Sequence, residues 1–165
     1  MIDLKKYSWI LILIGGILVL LAAVLPSIGY IDLEGDNSIL FWIFGLIWRE
    51  GGFNEGLKFV KDEPAFVAVG TIGAVFLIIF ALIYIISAIL TVATDVKLPI
   101  KEYVWFFMGI ALFFFPIILK STMGAVVEEG ETLMYLLLPI DLFSFFISLG
   151  AIFGTLAGFE EIIGR

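Results

Sequence analysis

The stretch PAFVAVGTIGAVFLIIFALIYIISAILTVA, residues 64–93, carries no charged side chain. About 20 apolar residues cross a hydrocarbon core about 30 Å thick, so this stretch is long enough to span a bilayer. Asp62 and Glu63 precede it and favour a helix N-terminus, and Pro64 suits the first helical position. The sequence predicts one long transmembrane helix, which tilts or projects beyond the core because its apolar part would measure about 43 Å.

The composition of the whole chain agrees with a membrane environment. Of its 165 residues 62% are hydrophobic, whereas soluble domains are about 45–50% apolar. The chain contains no cysteine and no histidine. This excludes disulfides and any thiolate or imidazole chemistry, in catalysis or in metal binding. We expect an integral membrane protein with no metal and no other cofactor.

Three other apolar stretches have about the length of transmembrane helices: residues 7–25, 103–119 and 139–159. The first follows Lys5 and Lys6, and no A-x-A-like cleavage site follows it, so we expect an uncleaved signal-anchor. The predicted fold is an all-α membrane protein, a single four-transmembrane-helix bundle over residues 1–165. Its outer loops would be 26–63 and 120–138, and the first would form a structured extracytoplasmic cap, as a short helix or a small β-element.

The distribution of basic residues predicts the orientation of these spans. Four spans place both termini on one side, together with Lys5, Lys6, Lys97, Lys101 and Arg165. The opposite side carries Arg49, Lys58, Lys61 and Lys120. Because the first set lies in much shorter segments, the positive-inside rule places both termini in the cytoplasm of a multi-pass cell-membrane protein. The net charge of −7 is then largely a property of the acidic outer loops.

A second decisive stretch, SILFWIFGLIWREGG at residues 38–52, lies inside the first outer loop. Apolar runs of about 10–14 residues are too short to span and are usually interfacial, re-entrant or buried. Tryptophan favours the headgroup level. We expect the base of the cap here, on the outer leaflet or over the helix ends, with four anchor residues: Trp42, Gly45, Leu46 and Trp48. A β-hairpin centred on Gly45 is a competing interpretation, because Phe, Trp and Ile also form strands.

Small residues recur at helical spacing in two of the predicted spans. The fourth span has Gly150, Gly154 and Gly158 at four-residue spacing, and the second has Ala74, Ala81 and Ala88 at heptad spacing. Small residues let helix backbones approach closely in lipid. Two interpretations follow: packing inside the bundle, or a face for assembly with another chain.

Asp141 is the only acid in the apolar run LMYLLLPIDLFSFFISLG, residues 133–150. If the span begins at Pro139, Asp141 lies in its first turn near the interface, where the helix dipole favours an acid. If it begins near Leu133, Asp141 lies deeper, and ionisable residues at membrane depth are usually functional.

The stretch Trp42-Ile-Phe-Gly45-Leu46-Ile-Trp48 resembles the W…G-L-W pattern in the first outer loop of claudin and PMP22-type tetraspan proteins. The predicted topology is also similar to theirs. Ile47 interrupts the G-L-W, and the cysteine pair of that family is absent. The resemblance implies a β-sheet on the outer surface, a short helix near residues 53–60, and side-by-side or cell-to-cell association through the outer loops. It also implies ion selectivity set by loop acids.

No Gly-rich phosphate loop, H-E-x-x-H motif or nucleophile elbow occurs, so we expect no enzymatic activity. The sequence also has no basic nucleic-acid patch. The predicted function is a non-enzymatic structural or interaction protein, either a self-assembling tetraspan or an accessory subunit of a larger complex. Its partners would be membrane lipid and copies of itself or other membrane-protein subunits. The alternative is a small channel or transporter that uses Asp141 and the acidic outer loops.

Overall fold

The computed structural model describes residues 7–31, 38–50, 56–59, 64–93, 100–126 and 142–163. Within these ranges the chain forms four helices: α1 (Ser8–Val24), α2 (Pro64–Ala93), α3 (Lys101–Val126) and α4 (Leu142–Ile163). It also forms four strands: β1 (Ile28–Ile31), β2 (Ser38–Phe41), β3 (Leu46–Glu50) and β4 (Gly56–Phe59).

Three of the helices, α2, α3 and α4, are long and apolar enough to cross a membrane. Their outward surfaces carry large apolar side chains, such as Ile86, Phe107 and Phe113, which are all at least half exposed. Such a surface suits lipid rather than water, so the chain has the character of an integral membrane protein. α1 is also apolar but has only 17 residues, about 25 Å at a rise of about 1.5 Å per residue. A fourth span therefore stays a prediction.

Two helices extend beyond the stretches that the sequence marks. α3 continues past Leu119 to Val126 although Pro116 lies inside it. Proline removes one backbone donor, yet Leu119 and Met123 beyond it are buried, and this packing favours continuation of the helix. α4 continues to Ile163, so Glu161, which lies beyond the predicted span 139–159, belongs to its last turn.

The helices form a ring in which α1 packs between α2 and α4, and α4 packs between α1 and α3. The interface of α2 with α3 is the smallest of the four. The buried core combines small and bulky side chains from all four helices, among them Ile12, Ala81, Leu77, Leu112 and Ile147. α1 and α3 begin at one end of the bundle, the terminal end, and α2 and α4 begin at the other, the sheet end.

The strands form one antiparallel sheet in the order β1-β2-β3-β4, between α1 and α2 in sequence. Residues 38–50 are therefore a β-hairpin, the competing interpretation above, and its turn contains Gly45 at a φ of 81°. The Gly45 N–H donates to the Trp42 carbonyl at 2.9 Å, and the Trp42 N–H donates to the Leu46 carbonyl at 2.8 Å. Glycine adopts this left-handed conformation without steric cost.

The short helix that the family resemblance implies near residues 53–60 is wrong for the part that the structure describes. Gly56–Phe59 is strand β4, which pairs with β3 in the register Trp48↔Leu57. Pairing with the hairpin satisfies backbone groups of this stretch along the edge that faces β3. The cap therefore contains a small β-element; its extracytoplasmic location stays a prediction.

Candidate functional site

The hairpin turn Trp42–Gly45, which we call the plug, inserts into the sheet end of the bundle. The Ile43 side chain is only 3% exposed, and its backbone carbonyl lies directly against Gly70 of α2. A Cβ added at Gly70 would overlap that carbonyl oxygen and would lie 3.1 Å from the Met123 methyl group of α3. The plug therefore packs against α2 where α2 meets Met123 of α3, and this contact depends on the absence of a side chain at Gly70.

Two further contacts hold the plug. The Trp42 Nε1–H donates to the Val24 carbonyl at 3.0 Å, so it satisfies one of the orphan carbonyls at the end of α1. Gly45 packs against α2, where an added Cβ would lie 2.7 Å from Val67 Cγ2. In addition, the Leu142 N–H at the start of α4 donates to the Ser27 carbonyl at 3.1 Å, beside β1.

The structure separates the four residues predicted to anchor the cap. Trp42 and Gly45 touch the bundle, as described above. Leu46 and Trp48 lie in β3 on either side of Ile47, which packs against the buried core. Alternation along a strand places their side chains on the opposite face. Ile43 and Gly70, the tightest contact of the plug, were not predicted; the only signal was Gly70 as a small residue at the sheet end of α2.

The terminal end holds a second cluster, in which every side chain is polar or aromatic. The Ser8 hydroxyl donates to Glu161 Oε1 at 2.6 Å, which joins the start of α1 to the end of α4. Lys101 Nζ of α3 lies 4.0 Å from the same oxygen and 5.1 Å from the ring centroid of Trp105. A cation between a carboxylate and an indole face is stabilised by both.

Deeper in this terminal cluster, α2 and α3 are joined by buried hydrogen bonds. The Tyr84 hydroxyl donates to the Trp105 carbonyl at 3.1 Å, and Trp105 Nε1–H donates to the Ser87 hydroxyl at 2.8 Å. Ser87 in turn donates to the Tyr84 carbonyl at 3.0 Å. Tyr84 and Trp105 are fully buried. The seam between α2 and α3 is thus closed by the plug at one end and by this network at the other.

Sequence reasoning did not predict the terminal cluster. Its members come from all four helices, so they form a cluster only when those helices pack side by side. The available signal was the polar series Tyr84, Ser87 and Thr91, at spacings of three and four residues in the otherwise apolar α2. In an apolar helix such a series usually faces a neighbouring helix, because polar groups need partners in lipid.

The predicted small-residue faces lie inside the bundle, which is one of the two interpretations above. A Cβ at Gly150 would lie 2.9 Å from the Gly15 carbonyl oxygen, and one at Gly158 would lie 2.5 Å from the Phe106 nitrogen. Gly154 faces the Tyr84 hydroxyl, which an added Cβ would overlap. On α2, three alanines are buried: Ala74, Ala81 and Ala88. These faces bring the helices of one chain together and are not available to a second chain.

Two shallow apolar grooves follow α3 along its length. One, of about 350 Å³, lies between α3 and α4 and is lined by Phe113, Phe114 and Ile152 among others. The other, of about 300 Å³, lies between α2 and α3 beside Phe76 and Ile118. α3 therefore stands out as a ridge on the apolar surface. Asp141 lies outside the described residues.

No protein-family model, curated protein or solved structure matches the chain, so the claudin and PMP22 resemblance stays an expectation that rests on residues 42–48 and the predicted topology.

Proposed function

We propose that this chain is a non-enzymatic integral membrane protein that presents its sheet outside the membrane as a fixed platform for interaction. The observation that carries the proposal is the plug. A sheet held only by its two connections would sample many orientations, whereas burial of Ile43 against Gly70 of α2 fixes its orientation relative to the bundle.

The contacts of the plug are strong enough to hold the sheet in one orientation. Burial of an isoleucine side chain contributes about 1.5–3 kcal/mol, and the hydrogen bond from Trp42 contributes about 1 kcal/mol. An isolated small sheet is only marginally stable in water. The bundle therefore supports both the position of the platform and its folding.

The proposed protein acts by assembly, with copies of itself or as an accessory subunit. Since the glycine faces of α4 are used within the chain, assembly would use the exposed surface, and the groove between α3 and α4 lies on that surface. Grooves between helices accept side-chain ridges of a neighbouring helix, and in lipid this packing drives association.

The mass of the native particle in mild detergent tests assembly. We expect multiples of the chain mass, which Phe114→Ala in the groove shifts towards the monomer. Phe145→Ala is the matched control, because both side chains are 52% exposed but Phe145 does not line the groove. A particle that contains other proteins indicates an accessory subunit. A monomer in every mild detergent contradicts assembly.

The proposed location of the sheet outside the membrane can be tested by cysteine labelling, because the chain itself contains no cysteine. Leu57 in β4 and Ile163 at the end of α4 are 59% and 66% exposed. In intact cells, a membrane-impermeant thiol reagent should label Leu57→Cys but not Ile163→Cys, and both after permeabilisation. The reverse pattern would place the sheet in the cytoplasm.

The channel alternative rests on Asp141 and the loop acids, and of these only Glu50, at the end of β3, lies in the part of the chain that the structure describes. Ion flux in proteoliposomes that falls on Asp141→Asn would favour it.

A further inference from the structure

The last turns of α3, residues 117–126, which we call the end segment, follow a proline inside the helix, Pro116. Proline has no backbone N–H, so the carbonyl of Leu112, one turn earlier, receives no hydrogen bond from residue 116. Sharp bends in helices occur mostly at proline for this reason. α3 is therefore easier to bend at Pro116 than in its uninterrupted turns.

Two buried side chains hold the end segment against α2. Leu119 packs on Gly73, where an added Cβ would lie 2.7 Å from Leu119 Cδ2. Met123 lies beside Gly70, which also faces the Ile43 carbonyl of the plug. Since the glycines of α2 offer no side chain to pack against, Met123 depends on the plug for part of its packing.

The two halves of the seam differ in what their separation would cost. In the sheet half, the contacts are apolar, and the groove of about 300 Å³ that Gly73 and Leu119 line already lies open on the apolar outer surface. Lipid hydrocarbon can replace such contacts, because no hydrophobic effect drives helices together in a bilayer. In the terminal half, hydrocarbon cannot replace the hydrogen bonds among Tyr84, Ser87 and Trp105. The sheet half therefore separates at the lower cost.

We propose that the plug controls a hinge at Pro116. While Ile43 is buried, the end segment packs on α2. When the plug leaves Gly70, the end segment bends away from α2 and widens the groove, while the terminal half stays closed. A bend of about 20° over the roughly 10 Å between Pro116 and Met123 would move Met123 by about 4 Å.

This hinge goes beyond the proposed function, although it uses the same plug. A partner that draws the sheet away from the bundle would change the width of the seam inside the membrane. Binding at the sheet would thereby alter the apolar surface of α2 and α3, which is a conformational coupling between the two parts of the molecule.

Distances between pairs of spin labels test the hinge in the full chain, in phosphatidylcholine nanodiscs. The chain has no cysteine, so labels attach only at introduced sites. Ala68→Cys on α2 and Ala125→Cys on α3 report on the sheet half, since both alanines are exposed and lie outside the groove lining. Ile86→Cys and Phe107→Cys report on the terminal half, where these side chains are 53% and 63% exposed.

Ile43→Ala weakens the plug, so a second distance population, about 4 Å longer, should appear in the sheet half. The distance in the terminal half should not change. Ile12→Ala is the matched control, because Ile12 is as buried as Ile43 but lies near the start of α1, at the terminal end. It should leave both distances unchanged. Pro116→Ala combined with Ile43→Ala should remove the longer population, because the hinge is lost.

Trp42→Phe is a milder change that loses only the hydrogen bond to the Val24 carbonyl. It should give a smaller fraction of the same longer distance, so the test does not depend on the folding of Ile43→Ala. Several results would overturn the proposal: unchanged or shorter distances in the sheet half, an equal change in the terminal half, the same change in Ile12→Ala, or a longer population that survives Pro116→Ala.

The outcome is separable from that of the proposed function. If thiol labelling places the sheet outside the membrane and native multiples form while the sheet half does not respond, the hinge alone is wrong. If the sheet half responds in a chain that is monomeric in every mild detergent, the hinge stands and assembly is wrong.

Discussion

The two ends of the seam between α2 and α3 are closed by different chemistry. At the sheet end a backbone turn enters the bundle, and the closure depends on shape: Ile43 is buried and Gly70 has no side chain to obstruct it. At the terminal end the closure depends on directed bonds among Tyr84, Ser87 and Trp105. A shape-based closure fails when one methyl group is added, whereas a bonded closure weakens in steps as partners are removed.

The largest effect is expected where a side chain would enter the plug contact. Gly70→Ala should lower the free energy of unfolding by about 2–3 kcal/mol, because the new Cβ overlaps the Ile43 carbonyl and backbone must move. Unfolding in mixed micelles measures the stability, and protease cleavage of the hairpin measures release of the plug. Gly124→Ala on α3 is the matched control, since no atom lies within 4 Å of its added Cβ. It should be neutral or slightly stabilising; equal effects of the two changes would contradict the plug.

A comparable test at the terminal end uses Gly154, which faces the Tyr84 hydroxyl. Gly154→Ala should cost about 2 kcal/mol. In the Tyr84→Phe background the same change should cost about 1 kcal/mol less, because the overlapping oxygen is gone. A double-mutant cycle of unfolding free energies measures this coupling. Additive costs would mean that the two residues do not meet.

Substitutions of the two tryptophans of the hairpin should differ in their effects on stability and protease cleavage, although both residues were predicted as anchors. Trp42→Phe removes the hydrogen bond to the Val24 carbonyl and should cost about 1 kcal/mol. It should also speed external protease cleavage of the hairpin. Trp48 lies on the face of β3 opposite Ile47, so Trp48→Phe should leave stability and cleavage within experimental error. Equal effects would indicate that this face of the sheet is also packed against the bundle or the membrane.

The smallest effects are expected among the charged groups of the terminal cluster. Ser8→Ala removes a 2.6 Å hydrogen bond to Glu161 and should cost about 1 kcal/mol. Lys101→Met breaks a 4.0 Å contact between side chains that are 21% and 15% exposed, and should cost about 0.5 kcal/mol or less. Unfolding at low and high salt separates them, since only the ion pair is screened. If Lys101→Met proves the costlier change, the ion pair closes this end.

Much of the architecture is readable from local sequence. The uncharged stretch 64–93 is α2, and residues 142–159 of the fourth predicted span lie in α4. Local sequence patterns are enough to predict these helices, because lipid stabilises an apolar helix whatever its neighbours are. The local sequence does not decide the structure of residues 38–50, because Trp, Phe and Ile suit a strand and an interfacial helix alike. Only pairing with β1 and β4 decides between them.

The sequence by itself determined that this protein is built from apolar helices with a charged, structured segment between the first two. Tertiary structure alone decided which surfaces are used: the glycines of α4 pack on α1, on Tyr84 and on α3, and the plug reaches Gly70. It also brought together Ser8 and Glu161, which are 153 positions apart in the chain. The physical reason is that composition and periodicity fix the solvent that each helix prefers. Contacts between distant residues depend instead on how the helices pack, and the sequence pattern does not specify that packing.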